Sequence, residues 1–326
     1  MTVYREASEA SQLFRQEERS LVRDAMRKLV ANRLAMVSLI VIVFVFFIGI
    51  FGPLLAPQDY LEQDLRAYNQ GPSRDHLLGT DELGRDMLSR LLWGGRTAIM
   101  VAVVSTSISY LIGILFGTLA AYRGGFTDAV FVRTVDLFDS FPHILVAMLL
   151  ASTMRPWVQR LARGLEETQG ISLLADNTVY IDYLVVFGAL SMIGWAGIGR
   201  LIRGQVLTLR ATDFVLAARC VGARERWIIL RHLVPNAIGP VIVALSSSFG
   251  GAMMYESSLS FIGIGIQPPG ASWGNMIVLS MGQWRYYPHL VLMPGILLML
   301  AIIAFNFFGD GLNDALNPRA LAPVRR

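Results

Sequence analysis

The chain has 326 residues, of which 54% are hydrophobic and only 16% charged, against about 25% charged in an ordinary soluble domain. Its 28 basic and 24 acidic residues leave a net charge of +4, and every basic residue except Lys28 is an arginine. The mean hydropathy is +0.51, and the charges are gathered between long uncharged windows, so the two soluble domains suggested by length alone are set aside. A basic balance suits nucleic acid or an anionic membrane surface. Because the arginines flank apolar segments, the expected partner is membrane lipid and not nucleic acid. The single Cys220 excludes an intramolecular disulfide. His76, His143, His232 and His289 are too scattered to suggest a metal site.

In chain order, residues 1–33 form a polar, cytoplasmic N-terminal segment. Within it Ser11 to Val30 reads as a basic, partly amphipathic helix on the membrane surface, or equally as a mobile charged tail. No signal peptide is expected, because the first apolar run comes late and is too long for an h-region. A bilayer-crossing helix needs about 20 mostly apolar residues, and uncharged windows locate six candidates. Leu34–Gln58 (25 residues) is the first, and Thr97–Tyr122 (26 residues) the second. Ser140–Met154 is short at 15 residues, although its apolar pattern extends back through Val130, Phe131 and Val135. Tyr183–Gly199 (17 residues) is also short and rich in glycine, while His232–Tyr255 and Tyr286–Gly309 span 24 residues each.

Many of these runs are β-branched, yet in lipid each must satisfy its own backbone, which selects helix. Barrel strands of about 10 residues with alternating polarity are not seen. The Gly113-x-x-x-Gly117 spacing permits close helix contact but is also common by chance. The expected architecture is therefore all-α: a first helix over 34–58, an outer loop over 59–96, five helices over 97–309 and a cytoplasmic tail over 310–326.

Orientation follows from lysine and arginine. With the N-terminus inside, the inner segments 1–33, 122–136, 200–231 and 310–326 hold 19 basic residues, and the outer segments 56–96, 155–182 and 256–287 hold 9. Both termini are thus expected in the cytoplasm. The outer loops are long enough to receive something that delivers substrate. The second, Arg155–Asp182, is expected to contain a short helix near Trp157–Leu165. The third carries a turn at Gln267-Pro268-Pro269-Gly270.

Residues 200–236 form the longest cytoplasmic loop between spans. Thr212 and Asp213 suit a helix start, and Phe214, Ala217, Ala218 and Val221 lie on one apolar face. Gly222 suits a left-handed helix end. A second short helix is expected from Arg224 to about His232, with Pro235 at its exit. This loop resembles the cytoplasmic coupling loop of ABC importer permeases, whose pattern is an acidic residue, two alanines, three residues, a glycine, and then isoleucine-x-leucine-proline. The matching residues are Leu216-Ala217-Ala218, Gly222 and His232-Leu233-Val234-Pro235, with Arg219 and Ala223 inside the same stretch. Leu216 stands in place of the acid, and His232 and Val234 in place of isoleucine and leucine.

Other segments resemble the dipeptide and oligopeptide permeases, specifically the C-type subunit. They include Gly79-Thr80-Asp81 with Gly84-Arg85-Asp86, Arg133–Asp136 with Phe141-Pro142, Glu256–Gly265 with Gln267-Pro268-Pro269, and Gly309–Pro318. The resemblance covers residues 28 to 319. It implies a type I ABC importer permease in the bacterial inner membrane, forming half of a pathway for di- or oligopeptides. The implied partners are a homologous second permease, two ATPase subunits and a periplasmic binding protein, with the 213–232 segment moved as a rigid lever. Relatives carrying nickel chelates, opines or sugars leave the substrate open.

A phosphate-binding Walker loop needs a lysine among glycines, and Lys28 has none nearby. ATP and Mg are accordingly expected on the partner ATPases, with no cofactor on this chain. No Gly-x-Ser-x-Gly elbow suggests a catalytic serine either. An ion-coupled transporter or channel is the competing reading. It would place charged residues within the spans, and the one candidate is Glu256, whose plainer role is a helix-end or inter-helix hydrogen bond.

Overall fold

The computed structural model describes residue 23, residues 25–169 and residues 178–316. Among these the elements are all helical, and one isolated bridge joins Thr80 to Asp86. The principal helices are α1 (Arg33–Leu55), α2 (Met87–Arg123), α3 (Gly125–Asp139), α4 (His143–Gln169), α5 (Thr178–Leu209), α6 (Asp213–Cys220), α7 (Glu225–Ile228), α8 (Val234–Ile262), α9 (Trp273–Ser280) and α10 (Pro288–Leu316). Five helices are long and apolar enough to cross a membrane, and α3 with α4, counted as one bent span, makes six.

The α2 and α5 helices overrun the uncharged windows where charges find partners. The α2 helix begins ten residues before Thr97 because Asp86 caps it, accepting the Ser89 N–H at 2.8 Å. Its early Arg90 lies 3.5 Å from Asp81, and Arg96 sits over the Trp93 ring. Likewise α5 continues past Gly199 to Leu209, because Arg200 pairs with Asp139 and Arg203 grips Asp128 at 2.6 and 2.7 Å. The loop expected over 200–236 therefore shrinks to a connection between Leu209 and Glu225. At the other end, α10 absorbs 310–316 of the expected tail, where Gly311 lets it approach Ala35 of α1.

Two further expectations change. The third span is two helices bent by 94° at Ser140-Phe141-Pro142. A proline disfavours helix in the residue before it, and the helix restarts as Leu145 and Val146 donate to the Pro142 carbonyl. The short helix expected near Trp157–Leu165 is the continuation of α4, which runs to Gln169 through Pro156. Residues 25–31 are helical. The rest of the Ser11–Val30 segment before residue 23, the loop residues 170–177 and the tail from residue 317 lie outside the described residues.

The α2 helix is the hub, packing against α5, α1 and α8. Its contact with α5 is backbone to backbone: a Cβ on Gly113 would stand 2.8 Å from the Trp195 carbonyl oxygen. Small residues at such a seam let helices approach within reach of dispersion along their length. Near the start of α2, the fully buried Trp273 of α9 donates its indole N–H to the Leu91 carbonyl at 3.0 Å. It lies across Gly94, where a Cβ would meet its ring at 2.8 Å.

Candidate functional site

The motif residues of 79–86 form a buried scaffold around the start of α2. Asp81 accepts the Leu83 and Arg85 N–H groups at 2.9 and 3.0 Å with one oxygen, and the Arg85 Nε at 2.7 Å with the other. Arg90 reaches that second oxygen at 3.5 Å, so two buried guanidiniums share one carboxylate. Thr80 donates to the Ala67 carbonyl and accepts from the Gln70 N–H. His76 faces Asp86 at 3.1 Å. Gly79 and Gly84 both have positive φ, and a Cβ on Gly84 would overlap the Asp64 carbonyl at 1.7 Å. Gly79, Thr80, Asp81, Gly84, Arg85 and Asp86 are all buried, so this motif holds the outer loop together and offers nothing to a docking protein.

The loop between α8 and α9 is anchored in the same manner. Gln267 donates its N–H to Asp182 at 2.8 Å, and Asp182 pairs with Arg155 of α4 at 2.8 Å. Pro268 and Pro269, joined by a cis bond, are exposed. Thr97 of α2 donates to the Ala271 carbonyl at 2.6 Å. Glu256 is 2% exposed and accepts from Ser260 at 2.7 Å and from Ser257 at 3.4 Å. Both serines belong to the same helix, α8.

Between α2, α5, α8 and the start of α4 lies a cavity of about 330 Å³. Ser105, Thr106, Ser109 and Tyr110 of α2 line one wall, with Ser247, Ser248 and Tyr255 of α8 on another. Tyr110 and Ser248 hydrogen-bond each other at 2.9 Å, joining α2 to α8. No carboxylate, guanidinium or ammonium lines the space; His143 is its one imidazole. Leu190, Ile193, Ala252 and three glycines complete a largely apolar lining.

The connection between α5 and α8 is a helical hairpin. Gly222, at φ +76°, closes α6: its N–H donates to Arg219 O at 2.9 Å and the Ala223 N–H donates to Ala218 O at 3.0 Å. These two bonds make a Schellman end, for which glycine is the usual left-handed residue. The chain then enters α7 and runs through a π-helical turn, Ile229–Leu233, directly into α8. Pro235 is thus at the start of the long helix, not at the exit of a short one. A proline lacks the N–H of a regular turn; here the Val234 N–H donates to Ile229 O, and the Asn236 side chain donates to the His232 carbonyl at 2.6 Å.

Three side chains tie this hairpin to the end of α2. Arg210 donates to Ala121 O at 2.6 Å, Arg219 stacks over the Tyr122 ring at 4.9 Å, and Glu225 pairs with Arg123 at 3.3 Å. Val215, Ile228 and Leu233 are buried against α2, α5 and α8. Opposite them, Phe214, Leu216, Val221, Trp227 and Leu230 are exposed, Val221 by 83% and Leu230 by 70%.

Residues 113–321 match the family described as binding-protein-dependent transport system inner membrane component, and residues 20–72 match the N-terminal transmembrane domain of oligopeptide transport permease C. The dipeptide transport permease DppC of Bacillus subtilis (strain 168) is 37% identical over 306 residues, covering 92% of this chain and 86% of that protein. The chain belongs to the binding-protein-dependent transport inner-membrane family. The oligopeptide permease OppC of Escherichia coli (strain K12) is 34% identical to this permease over 93% of each chain. Among solved structures, a chain of the inward-facing MetNI methionine ABC transporter shares the fold, with a TM-score of 0.53 and 18% identity over 71% of this permease and 98% of that chain. The permease is a multi-pass transport subunit of an ABC importer and not an enzyme, and its family works together with ATPase and other subunits.

Within the permease, the coupling residues named from sequence separate into two groups. Leu216, Ala217, Arg219, Gly222 and Pro235 are exposed, whereas Ala218 and Ala223 turn partly toward the bundle. The apolar face expected from Phe214, Ala217, Ala218 and Val221 points mostly outward, and the buried position is Val215. Helical periodicity identifies a face without saying what covers it. Sequence reasoning missed Arg210, Glu225 and Tyr122, because tertiary contacts alone give these common residues a role. It also missed Asp182, which the structure places inside α5 and not in a loop.

Proposed function

We propose that this permease forms half of the translocation pathway for di- or oligopeptides in a bacterial inner-membrane importer. It pairs with a homologous second permease and with two ATPases that carry ATP and Mg, while a periplasmic binding protein delivers substrate outside. In this reading both termini are cytoplasmic. The observation that carries the proposal is the hairpin from α6 through the π-helical turn, which exposes Phe214, Leu216, Val221, Trp227 and Leu230 among charged residues and is anchored to the end of the helix that lines the cavity. Contiguous exposed apolar side chains of this kind mark a partner surface, and the acid-free Leu216 makes the contact apolar at that position. ATP-driven closure of the ATPases pushes on α6, and the Arg210, Arg219 and Glu225 ties carry the displacement to α2 and its cavity wall. Rigid-body movement of this sort switches access from one side to the other. A peptide substrate is supported by the dipeptide and oligopeptide relatives.

Cys220, the sole and exposed cysteine, ends α6 and serves as a built-in probe. Its modification by a maleimide should be fast in the isolated permease and strongly slowed once the ATPases are bound; equal rates in both would count against docking at α6. Gly222 separates conformation from bulk, since a Cβ there meets no atom within 4 Å although φ is +76°. A β-branched residue in that region is strained by roughly 1–2 kcal/mol, whereas asparagine tolerates it. Gly222→Val should leave insertion intact but uncouple ATP turnover from peptide uptake, and Gly222→Asn should retain coupling. Normal coupled uptake by the valine variant would overturn the lever.

A further inference from the structure

The π-helical turn between α7 and α8 changes which side chains can meet. In an α-helix, neighbours on one face lie three or four residues apart. A π-helical turn, with its i→i+5 hydrogen bonds, brings residues five apart onto one face instead. Here the Val234 N–H donates to the Ile229 carbonyl, five positions back. Ile228 and Leu233 are also five apart, and both are buried against the bundle. Trp227 and His232 form the adjacent pair, and their rings meet edge to face with centroids 4.7 Å apart. In an unbroken α-helix Trp227 would lie over Leu230 and Arg231, which are both exposed.

His232 also reaches a second helix. Its ring centroid lies 6.1 Å from that of Phe214, at the start of α6. The Nε2 of His232 is closed off and finds no hydrogen-bond partner among the described residues. Ring contacts, and not a hydrogen bond at that nitrogen, therefore fix the imidazole. Phe214 and Trp227 are themselves 42% and 50% exposed, whereas His232 is half-buried. One side chain at the entry to α8 thus joins two exposed aromatic residues from different helices. Large aromatic side chains dominate binding at protein interfaces. Holding them in place beforehand removes the cost of ordering them when a partner arrives.

We propose that His232 is the positioning residue of the ATPase-docking surface, holding the Trp227 and Phe214 rings in one arrangement before the ATPases bind. This inference rests on the docking reading above and names the side chain that presets the surface. The permease, assembled with its second permease in nanodiscs, is titrated with its two ATPases. His232→Ala should weaken their binding about tenfold, equivalent to about 1.4 kcal/mol, and Trp227→Ala should weaken it at least as much. His232→Phe keeps a ring at the contact and should stay within about threefold of the parent. Combining His232→Ala with Trp227→Ala should bind within about twofold of Trp227→Ala alone, because a positioning residue has nothing left to hold. Where His232→Ala does not assemble, His232→Gln removes the ring while keeping a side chain of similar length.

Losses that multiply in the double variant overturn the action through Trp227. A His232→Phe variant as weak as His232→Ala overturns the role of the ring. Binding at the parent level by His232→Ala or by Trp227→Ala overturns the inference outright. The exposed Cys220 reports on the docking reading in the same samples. If the ATPases bind the parent yet leave its maleimide modification at full speed, the docking reading and this inference fall together. A protected Cys220 confines any failure to His232.

Discussion

Asp81→Ala should be the most destabilising single substitution in the half of the protein around the start of α2. It leaves Arg85 and Arg90, 2% and 1% exposed, without their shared carboxylate. Removing one partner of a buried ion pair costs about 3–5 kcal/mol, because the remaining charge stays desolvated. Two charges are stranded here, and the backbone N–H groups of Leu83 and Arg85 lose their acceptor as well. The turn that positions the Asp86 cap should loosen, and with it the first turns of α2. Thermal unfolding of the detergent-solubilised permease should show a large drop in midpoint. Asp81→Asn should lie between the parent and the alanine variant, since an amide oxygen still accepts the backbone bonds. Asp75→Ala, at an exposed site, is the control. A midpoint for Asp81→Ala equal to that control would mean that the cluster is not what holds the loop.

Gly117→Leu should have an effect of similar size on the other side of α2. A Cβ at Gly117 would sit 2.4 Å from the Gly199 carbonyl oxygen and 2.5 Å from the Ile202 side chain. The first of these is backbone, so relief requires the two helices to separate. Overpacking a core costs typically 1–3 kcal/mol when side chains can adjust, and a backbone obstacle places this case at about the upper end of that range or beyond. Parting α2 from α5 also opens the cavity they share. The expected result is a lower yield of monodisperse protein and a lower unfolding midpoint. Gly197→Leu, on the same helix pair but open to the cavity, should unfold close to the parent temperature. Equal destabilisation by the two leucines would show that the seam is looser than its geometry.

These two substitutions fall on residues whose weight differs greatly between sequence and structure. Asp81 and Arg85 belong to a motif conspicuous in the linear chain, where their mutual contact is not visible. Folding turns the motif inward, because Arg85, Arg90 and the two backbone N–H groups converge on one carboxylate. Gly113 and Gly117 have a spacing that arises often by chance. Only the approach of Gly199 and Trp195 makes it a seam.

What the sequence by itself determined was the membrane class, the set of apolar runs and the family. Long charge-free stretches must form helices in lipid, whatever surrounds them, and Gly222 marks a left-handed helix end that local geometry alone demands. The tertiary structure decided where each helix stops, because a charge ends a hydropathy window but not a helix once a neighbour neutralises it, as Asp128 does for Arg203. It decided that the third span is bent by 94° and that Pro235 opens α8 after a π-helical turn. It also decided which side of α6 faces away from the bundle. Periodicity places Phe214, Ala217 and Val221 on one stripe, but burial depends on what lies opposite, and here α2, α5 and α8 cover Val215 instead. The stripe left uncovered is the surface assigned above to the ATPases.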